Sequence, residues 1–164
     1  MRKLILPGAL AIGALVVAPP ASATGRTGGR TITLYEIEKG STFGFVDNPP
    51  KTTLGKYGEP KNFSAGDLFA FSSLVQSARH TPLGRVSATC TVTRAGSVRR
   101  NLEVCTGAFR LRGGDLLLAA TVKGEPKRVT IAVLGGTGTS EGARGSMVSA
   151  NTKTGSTDVI HLLP

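Results

Sequence analysis

The chain has 164 residues, of which 20 are Lys or Arg and 10 are Asp or Glu; its formal net charge is +10, and Trp is absent. This length is typical of one domain with a core of ordinary size, so a second folded domain is not expected. The basic residues are scattered rather than arranged in a stripe with interleaved aromatic residues. This distribution argues against a nucleic-acid-binding protein and favours a basic surface that aids solubility or adhesion to anionic surfaces.

The N-terminus has the three-part layout of a cleavable secretory signal. Arg2 and Lys3 precede the apolar run 4–17, and the small residues Ala21-Ser22-Ala23 follow it. The run is shorter than the ~20 residues that a bilayer core requires, so no membrane span is expected. We predict a signal peptide over 1–23 and a secreted, extracellular protein.

The mature chain is predicted to begin with a short tail. Removing Arg2 and Lys3 leaves a net charge of about +8. Residues 24–30 are rich in Gly and basic residues and have nothing apolar to bury, which predicts a disordered tail. The remaining residues, 31–164, are predicted to form one domain.

Apolar and polar residues alternate with a period of two along this domain, and no window sustains the i, i+3, i+4, i+7 pattern of an amphipathic helix. The segment 40–66 is rich in Gly and Pro, which predicts an irregular connection without a long strand. Turn signals separate eight predicted strands. These strands are 31–38, 67–75, 84–93, 102–111, 116–122, 129–134, 146–151 and 158–163.

This pattern predicts an all-β fold, an eight-stranded antiparallel closed β-barrel, with a β-sandwich as the alternative. A barrel of eight strands is just wide enough to be filled by side chains or to hold one small ligand. The interior is therefore where a function is expected.

The glycine-rich segment 134–145 does not fit a nucleotide-binding loop. No Lys follows its glycines, and Glu141 stands where the Rossmann pattern requires the third glycine. A bend between two strands is therefore predicted. The sequence Gly-Gly-Thr-Gly of 135–138, followed by Arg144-Gly145, resembles the signature of the dirigent proteins and the equivalent corner of the allene oxide cyclases.

Two further segments carry the same resemblance. Residues 34–38, Leu-Tyr-Glu-Ile-Glu, are similar to the first strand of the cyclases, and residues 66–71, Gly-Asp-Leu-Phe-Ala-Phe, to their second strand. The resemblance implies a secreted member of the allene oxide cyclase and dirigent-like barrels. It also implies a cyclase-like or isomerase-like activity on a hydrophobic small molecule, and a homotrimer.

Cys90 and Cys105 are the two cysteines of the chain, and they fall on predicted adjacent antiparallel strands. In an exported protein this arrangement predicts a disulfide. Closing a loop of about 15 residues contributes on the order of 3 kcal/mol in the chain-entropy model. The alternative is chemical, because the resemblance to the cyclases around Gly84 to Cys90 implies a cysteine in the cavity.

Glu36 is the candidate catalytic acid or base. It shares an alternation face with Ile32 and Leu34, so its carboxylate is predicted to point into the barrel or to lie at its mouth. Desolvation among apolar residues would raise its pKa and suit it to proton transfer. Both resembled families carry an acid at this place. The alternative is an exposed carboxylate that pairs with a basic residue across the sheet.

Four residues are candidate binding residues. Phe69 and Phe71 share one face of the strand 67–75. Asp67 and Arg144 belong to the motifs that resemble the two families. We expect Asp67 and Arg144 mainly to fix a corner and a strand end through charge-assisted hydrogen bonds, with a role in the pocket as the alternative.

His80 and His161 have no third ligand or serine partner at a readable spacing, so no metal site, triad or cofactor is expected. Two functions remain open. The barrel could bind a hydrophobic small molecule and cyclise, isomerise or stereochemically direct it through shape and one buried acid. It could instead be a non-catalytic extracellular carrier, binding or surface-interaction barrel. A continuous cavity bearing Glu36 would favour the first, and a filled interior the second.

Overall fold

The computed structural model describes residues 29–56 and 60–164. The predicted signal peptide, 1–23, and the predicted tail as far as residue 28 lie outside the described residues. The strands in the described part are β1 (Arg30–Val46), β2 (Asn62–Phe63), β3 (Leu68–Gln76), β4 (Pro82–Arg94), β5 (Gly96–Ser97), β6 (Leu102–Leu111), β7 (Gly114–Lys123), β8 (Arg128–Gly136), β9 (Gly145–Asn151) and β10 (Gly155–Leu162). One turn of 3-10 helix, Gly138–Ser140, follows β8.

Eight strands close into an antiparallel barrel in the order β1-β10-β9-β8-β7-β6-β4-β3. Closure is made by β1, which pairs with β10 on one side and with β3 on the other. The short strands β2 and β5 form a separate two-stranded sheet. The predicted all-β, eight-stranded closed barrel is confirmed.

The first strand is longer than its sequence pattern predicts. It continues through Gly40 and pairs with β3 again from Thr42 to Val46, after a register shift between Ile37 and Thr42. Gly40 has a φ of +81°, a conformation that Gly adopts without steric cost, so the chain bulges there instead of ending the strand. The prediction that 40–66 holds no long strand is therefore wrong for its first seven residues.

One end of the barrel, called the closed end, is filled by apolar side chains. The turns between β3 and β4, β6 and β7, and β8 and β9 lie at this end. Because alternate residues of a strand point inward, each of the eight strands contributes at least one buried side chain to a single layer. The layer is Leu34, Val75, Val86, Phe109, Leu116, Leu118, Val133, Met147 and Ile160.

The glycine-rich segment forms the predicted bend between two strands, and this corner lies at the closed end. Thr137 N donates to Asp115 O at 2.9 Å, and Thr139 N donates to Gly113 O at 2.8 Å, so the corner lies directly on the β6–β7 turn. A Cβ at Gly136 would meet the backbone oxygens of Asp115 and Ser140. The corner needs glycine because two backbones approach closely.

The opposite end, called the open end, holds the connection between β1 and β3, which is the longest of the barrel. The residues between β1 and β3 cross it, and β2 within that connection pairs with β5, which lies between β4 and β6. The buried Asp67 fixes the returning chain, since its carboxylate accepts hydrogen bonds from Asn48 N at 2.8 Å and Ser64 N at 2.7 Å. The barrel is therefore plugged at one end and framed by a rim at the other.

Candidate functional site

A cavity of about 220 Å³ occupies the barrel above the closed-end layer. It opens into a wider space of about 860 Å³ at the open end, which we call the mouth. Phe71, Cys90 and Glu103 line both spaces, so the two are continuous. The remaining inward-facing side chains that line the cavity are mostly apolar, among them Val86, Ala88, Leu118, Ala120, Val122, Val129, Ile131 and Met147.

Glu36 lines this cavity and is held beside a second acid. In the antiparallel register, Glu36 lies opposite Ser156 of β10, and Asp158 lies two residues further along the same inward face. Asp158 is fully buried, and Ser156 Oγ donates a hydrogen bond to its Oδ1 at 3.1 Å. The first and last strands of the barrel thus bring together a pair of carboxyl groups that are distant in sequence.

The surroundings of this pair favour its protonated form. Burial, the charge of Asp158 and a hydrogen bond to Asp158 raise the pKa of Glu36 from 4.5 to about 8, against a smaller opposing effect of Ser156. Burial also raises the pKa of Asp158, and the hydroxyls of Ser149 and Ser156 together with Glu36 only partly offset it. The pair therefore retains a proton at neutral pH.

The hydrogen bonds of Asp158 bear on which of the two carboxyl groups carries that proton. Its Oδ2 is buried and has no N–H or O–H donor from the hydroxyls, amides and basic groups of the described residues. A buried carboxylate oxygen without a donor is costly. The hydrogen bond between the two carboxyl groups raises the pKa of Glu36 and lowers that of Asp158, which favours the shared proton on Glu36.

Four of the phenylalanine rings that line the mouth contact one another. The rings of Phe45 and Phe69 stack with centroids 4.9 Å apart, and Phe63 meets Phe69 edge-on at 5.1 Å. Phe43 lies at 6.0 Å from Phe69, and its side chain is 69% exposed. Aromatic surface thus lines the space through which a ligand would enter the barrel.

The disulfide lies on the wall between mouth and cavity. Cys90 and Cys105 are directly opposed on β4 and β6 and are bonded, with an S–S distance of 2.04 Å. The predicted disulfide is confirmed, so Cys90 carries no free thiol. Glu103 is close enough that one of its carboxylate oxygens lies within 4.8 Å of each sulfur. Since both sulfurs are bonded to each other, this grouping offers no thiolate to a metal.

Glu103 is the third acid of the cavity, and it stands on the wall beside the disulfide. Asn101 Nδ2 donates a hydrogen bond to Glu103 Oε1 at 2.5 Å. Burial and, to a smaller extent, the charge of Glu125 raise the pKa of Glu103, whereas the hydrogen bond from Asn101 lowers it. The sequence pattern did not single out Glu103.

A second opening reaches Glu36 from the side. The bulge in β1 leaves a cleft of about 480 Å³ that Glu36 and Phe71 line together with polar residues. Ser41 Oγ, at the bulge, donates to Ile37 O at 2.9 Å and lies 2.9 Å from Ser73 Oγ. The acid pair therefore has a polar approach besides the apolar one from the mouth.

Comparison with known proteins defines the fold. No protein-family model and no curated protein sequence matches the chain. Among solved structures, a pyocyanin demethylase matches at 18% identity and a TM-score of 0.63, over 82% of this chain and all of that one. An exo-specific intermolecular Diels-Alderase, AbnU, matches at 10% identity and a TM-score of 0.54, over 82% and 98% of the chains. The pterocarpan synthase dirigent protein GePTS1 matches at 17% identity and a TM-score of 0.50, over 82% and 83%.

The chain shares its barrel fold with these three proteins, one of which is a dirigent protein. Identities this low establish a shared architecture and no more. In the part of the chain that the structure describes, no helix is long and apolar enough to cross a membrane.

The predicted binding residues lie in different parts of this barrel. Phe71 lines the cavity and Phe69 the mouth. Asp67 is buried in the open-end connection, where its carboxylate accepts backbone hydrogen bonds. Arg144 is exposed at the closed end, where its carbonyl accepts a hydrogen bond from Leu163 N at 2.7 Å. Their roles in ligand binding stay predictions.

The two histidines lie outside the cavity. His80 is exposed in the β3–β4 turn, 3.0 Å from Gln76 Nε2 through its Nδ1. His161 is exposed on the outer face of β10, where its Nδ1 lies 3.1 Å from Thr31 Oγ1. The chemistry of the cavity therefore depends on its acids.

Proposed function

We propose that this protein is a secreted, extracellular barrel that binds a hydrophobic small molecule in its cavity and isomerises, cyclises or stereochemically directs it. The observation that carries the proposal is the proton-bearing acid pair, in which Glu36 lines a mostly apolar cavity and is backed by the fully buried Asp158. Carboxyl groups whose surroundings shift their pKa toward neutral pH are suited to general acid and base catalysis. The disulfide and the fold shared with a Diels-Alderase and a dirigent protein support it.

The acid pair suits a reaction that needs no second reactant. Protonated Glu36 donates its proton to a basic oxygen of the ligand. The protonated ligand then isomerises or closes a ring within the same molecule. Glu36 is then a carboxylate beside Asp158, and repulsion between the two charges favours the return of a proton from the ligand. Protons balance over the cycle, as an isomerisation or a ring closure requires.

Shape contributes the remaining selectivity. The apolar cavity excludes water and limits the conformations of a flexible ligand, so that reacting atoms are held close together. The closed-end layer provides a rigid floor, and the ring cluster at the mouth covers the part of the ligand that extends outward. A carrier without chemistry would use the same cavity, and the experiment must separate the two.

Binding is tested first, with the neutral fluorescent probe N-phenyl-1-naphthylamine. We expect saturable binding by the wild-type protein and a loss of at least tenfold in affinity in Ala120→Leu, whose larger side chain fills the cavity. The matched control is Thr121→Leu, which adds bulk on the exposed outer face of the same strand. Equal affinity in the two variants would place the probe outside the cavity and contradict the binding site.

Chemistry is tested with the hydrophobic compound that co-purifies with the secreted protein, identified by native mass spectrometry. Glu36→Gln should lower turnover by at least a hundredfold while probe binding is retained, because Gln keeps the shape and removes the transferable proton. Glu141→Gln, an exposed acid at the closed end, serves as the control. Retained turnover in Glu36→Gln would refute the acid assignment, and binding without any turnover in the wild type would identify a carrier.

A further inference from the structure

We propose that the ligand of this cavity carries a positive charge on an aromatic or apolar body, and that Glu103 together with the phenylalanine rings of the mouth binds that charge. The inference rests on the proposed binding of a hydrophobic small molecule in the cavity and narrows its chemical class.

The first argument is the distribution of charge. The whole chain has a formal net charge of +10, yet the cavity and its two openings are lined by Glu36, Glu38, Glu103 and Glu125. Among the described residues that line these spaces, Lys61 at the mouth is the basic side chain. A basic protein therefore carries acidic side chains at its cavity and at the two openings, an arrangement that favours cations over anions.

The second argument is that Glu103 lacks a protein counter-ion. In the described ranges, no Lys, Arg or His nitrogen lies within 4.0 Å of the carboxylate of Glu103, and the same holds for Glu36 and Asp158. Glu36 and Asp158 satisfy each other by sharing a proton. Glu103 has no such carboxyl partner. Its half-buried carboxylate therefore lines the ligand space without a counter-ion.

The third argument is that Glu103 is held in place by a buried residue. Asn101 is 1% exposed, and two hydrogen bonds fix its backbone. Asn101 N donates to Ser97 O at 2.9 Å, and Gly124 N donates to Asn101 O at 3.1 Å. Its side-chain amide donates to Glu103 Oε1, while its own Oδ1 has no partner among the described residues. A buried amide used to orient a carboxylate favours the ionised form and keeps it aimed at the junction of cavity and mouth.

The fourth argument is the aromatic surface beside this carboxylate. The rings of Phe45, Phe63 and Phe69 line the same mouth as Glu103, and Phe71 lines both mouth and cavity. The faces of such rings attract a cation within about 6 Å of the ring centroid. A space lined by both a carboxylate and aromatic rings is a suitable environment for an organic cation, whereas a neutral hydrocarbon would leave the carboxylate desolvated and without a counter-ion.

The test uses two probes of nearly equal shape, the permanent cation N-methylquinolinium and the neutral 1-methylnaphthalene. At neutral pH, we expect the wild-type protein to bind the cation at least tenfold more tightly by isothermal titration calorimetry, and to lose part of that preference in 0.5 M salt, as screening of a charge–charge attraction predicts. Glu103→Gln should bring the two affinities within about threefold of each other, while Glu141→Gln should keep the wild-type preference.

Three outcomes would overturn the proposal. These are equal or weaker binding of the cation by the wild type, an unchanged preference in a folded Glu103→Gln variant, and binding of neither probe. The neutral probe separates this failure from that of the proposed function: if 1-methylnaphthalene binds and Ala120→Leu removes it, the cavity binds hydrophobic molecules without selecting a charge. If Glu103→Gln does not fold, the wild-type comparison of the two probes and its salt dependence still decide the matter.

Discussion

The two ends of this barrel are built from the same eight strands and differ in what their inward residues do. At the closed end every strand contributes an apolar side chain to one layer, and Phe109, Leu116 and Ile160 have no exposed surface. At the open end the inward positions of the same strands hold acids, a disulfide and small residues such as Ala88 and Ala120. The apolar core and the polar groups of the cavity are therefore separated along the barrel axis.

This separation places the buried acid pair directly above the apolar layer. The acid pair lies one inward position beyond the closed-end layer, since Leu34 precedes Glu36 on β1 and Ile160 follows Asp158 on β10. A buried carboxyl pair costs stability unless its groups are paired and hydrogen-bonded. The complete apolar layer below the pair offsets the free-energy cost of burying it. Substitutions at the closed end and at the open end test this comparison.

The largest effect is expected at the closed end. Phe109→Ala should lower the free energy of unfolding by about 4 kcal/mol, because it removes a fully buried ring and leaves a cavity in the layer. Urea denaturation monitored by circular dichroism measures the change. Phe69→Ala, at the mouth, is the counterpart and should cost clearly less, because its ring is partly exposed. Equal losses in the two variants would contradict the division into a stabilising and a binding end.

A smaller effect is expected from the disulfide, which is the covalent link of the open end. The double variant Cys90→Ala/Cys105→Ala should lower the free energy of unfolding by about 3 kcal/mol, because the unfolded chain is no longer restrained by the loop that the bond closes. Hydrogen exchange should become faster in 95–101 before it changes in the closed-end layer. Identical melting of the oxidised wild type and the double variant would show that the link contributes nothing to the fold.

The acid pair gives an effect on stability whose size depends on pH. The folded protein holds a proton on Glu36 up to a pKa of about 8, whereas the unfolded chain releases it near 4.5. Between these values the folded state binds more protons, so the wild type loses stability as the pH rises. Glu36→Gln cannot ionise and should be more stable than the wild type by about 2 kcal/mol at pH 6 and by more at pH 8, with the difference close to zero near pH 4.

Chemical denaturation at pH 4, 6 and 8 measures this difference, and Glu141→Gln, an exposed acid at the closed end, is the control. A difference between Glu36→Gln and the wild type that is constant across the three values would show that Glu36 ionises normally and that the pair shares no proton.

The sequence predicted the barrel well because its strands alternate cleanly. The bounds of β6 were predicted without error, since turn residues flank it on both sides. Glu36 was found because it continues the inward face of Ile32 and Leu34. The extension of β1 past Gly40 was missed, because a glycine that permits a bulge has the same local signature as one that ends a strand.

The two other acids of the site were missed for different reasons. Asp158 acquires its role only through the pairing of β1 with β10, which places residues separated by most of the chain side by side. Glu103 follows Leu102 and precedes Val104, so alternation alone does not decide which of these residues points inward. In both cases the pairing register of the strands, rather than the local alternation of apolar and polar residues, shows that the acid belongs to the cavity.

The glycine corner at the closed end has a consequence for how proteins with this barrel can be compared. Its glycines are required where the corner lies on the β6–β7 turn, and none of the residues 137–145 lines the cavity or its two openings. Selection for a new ligand can therefore rewrite the cavity lining without disturbing the corner. A shared Gly-Gly-Thr-Gly corner therefore indicates a shared architecture and says nothing about which ligand the inward residues near the open end would select.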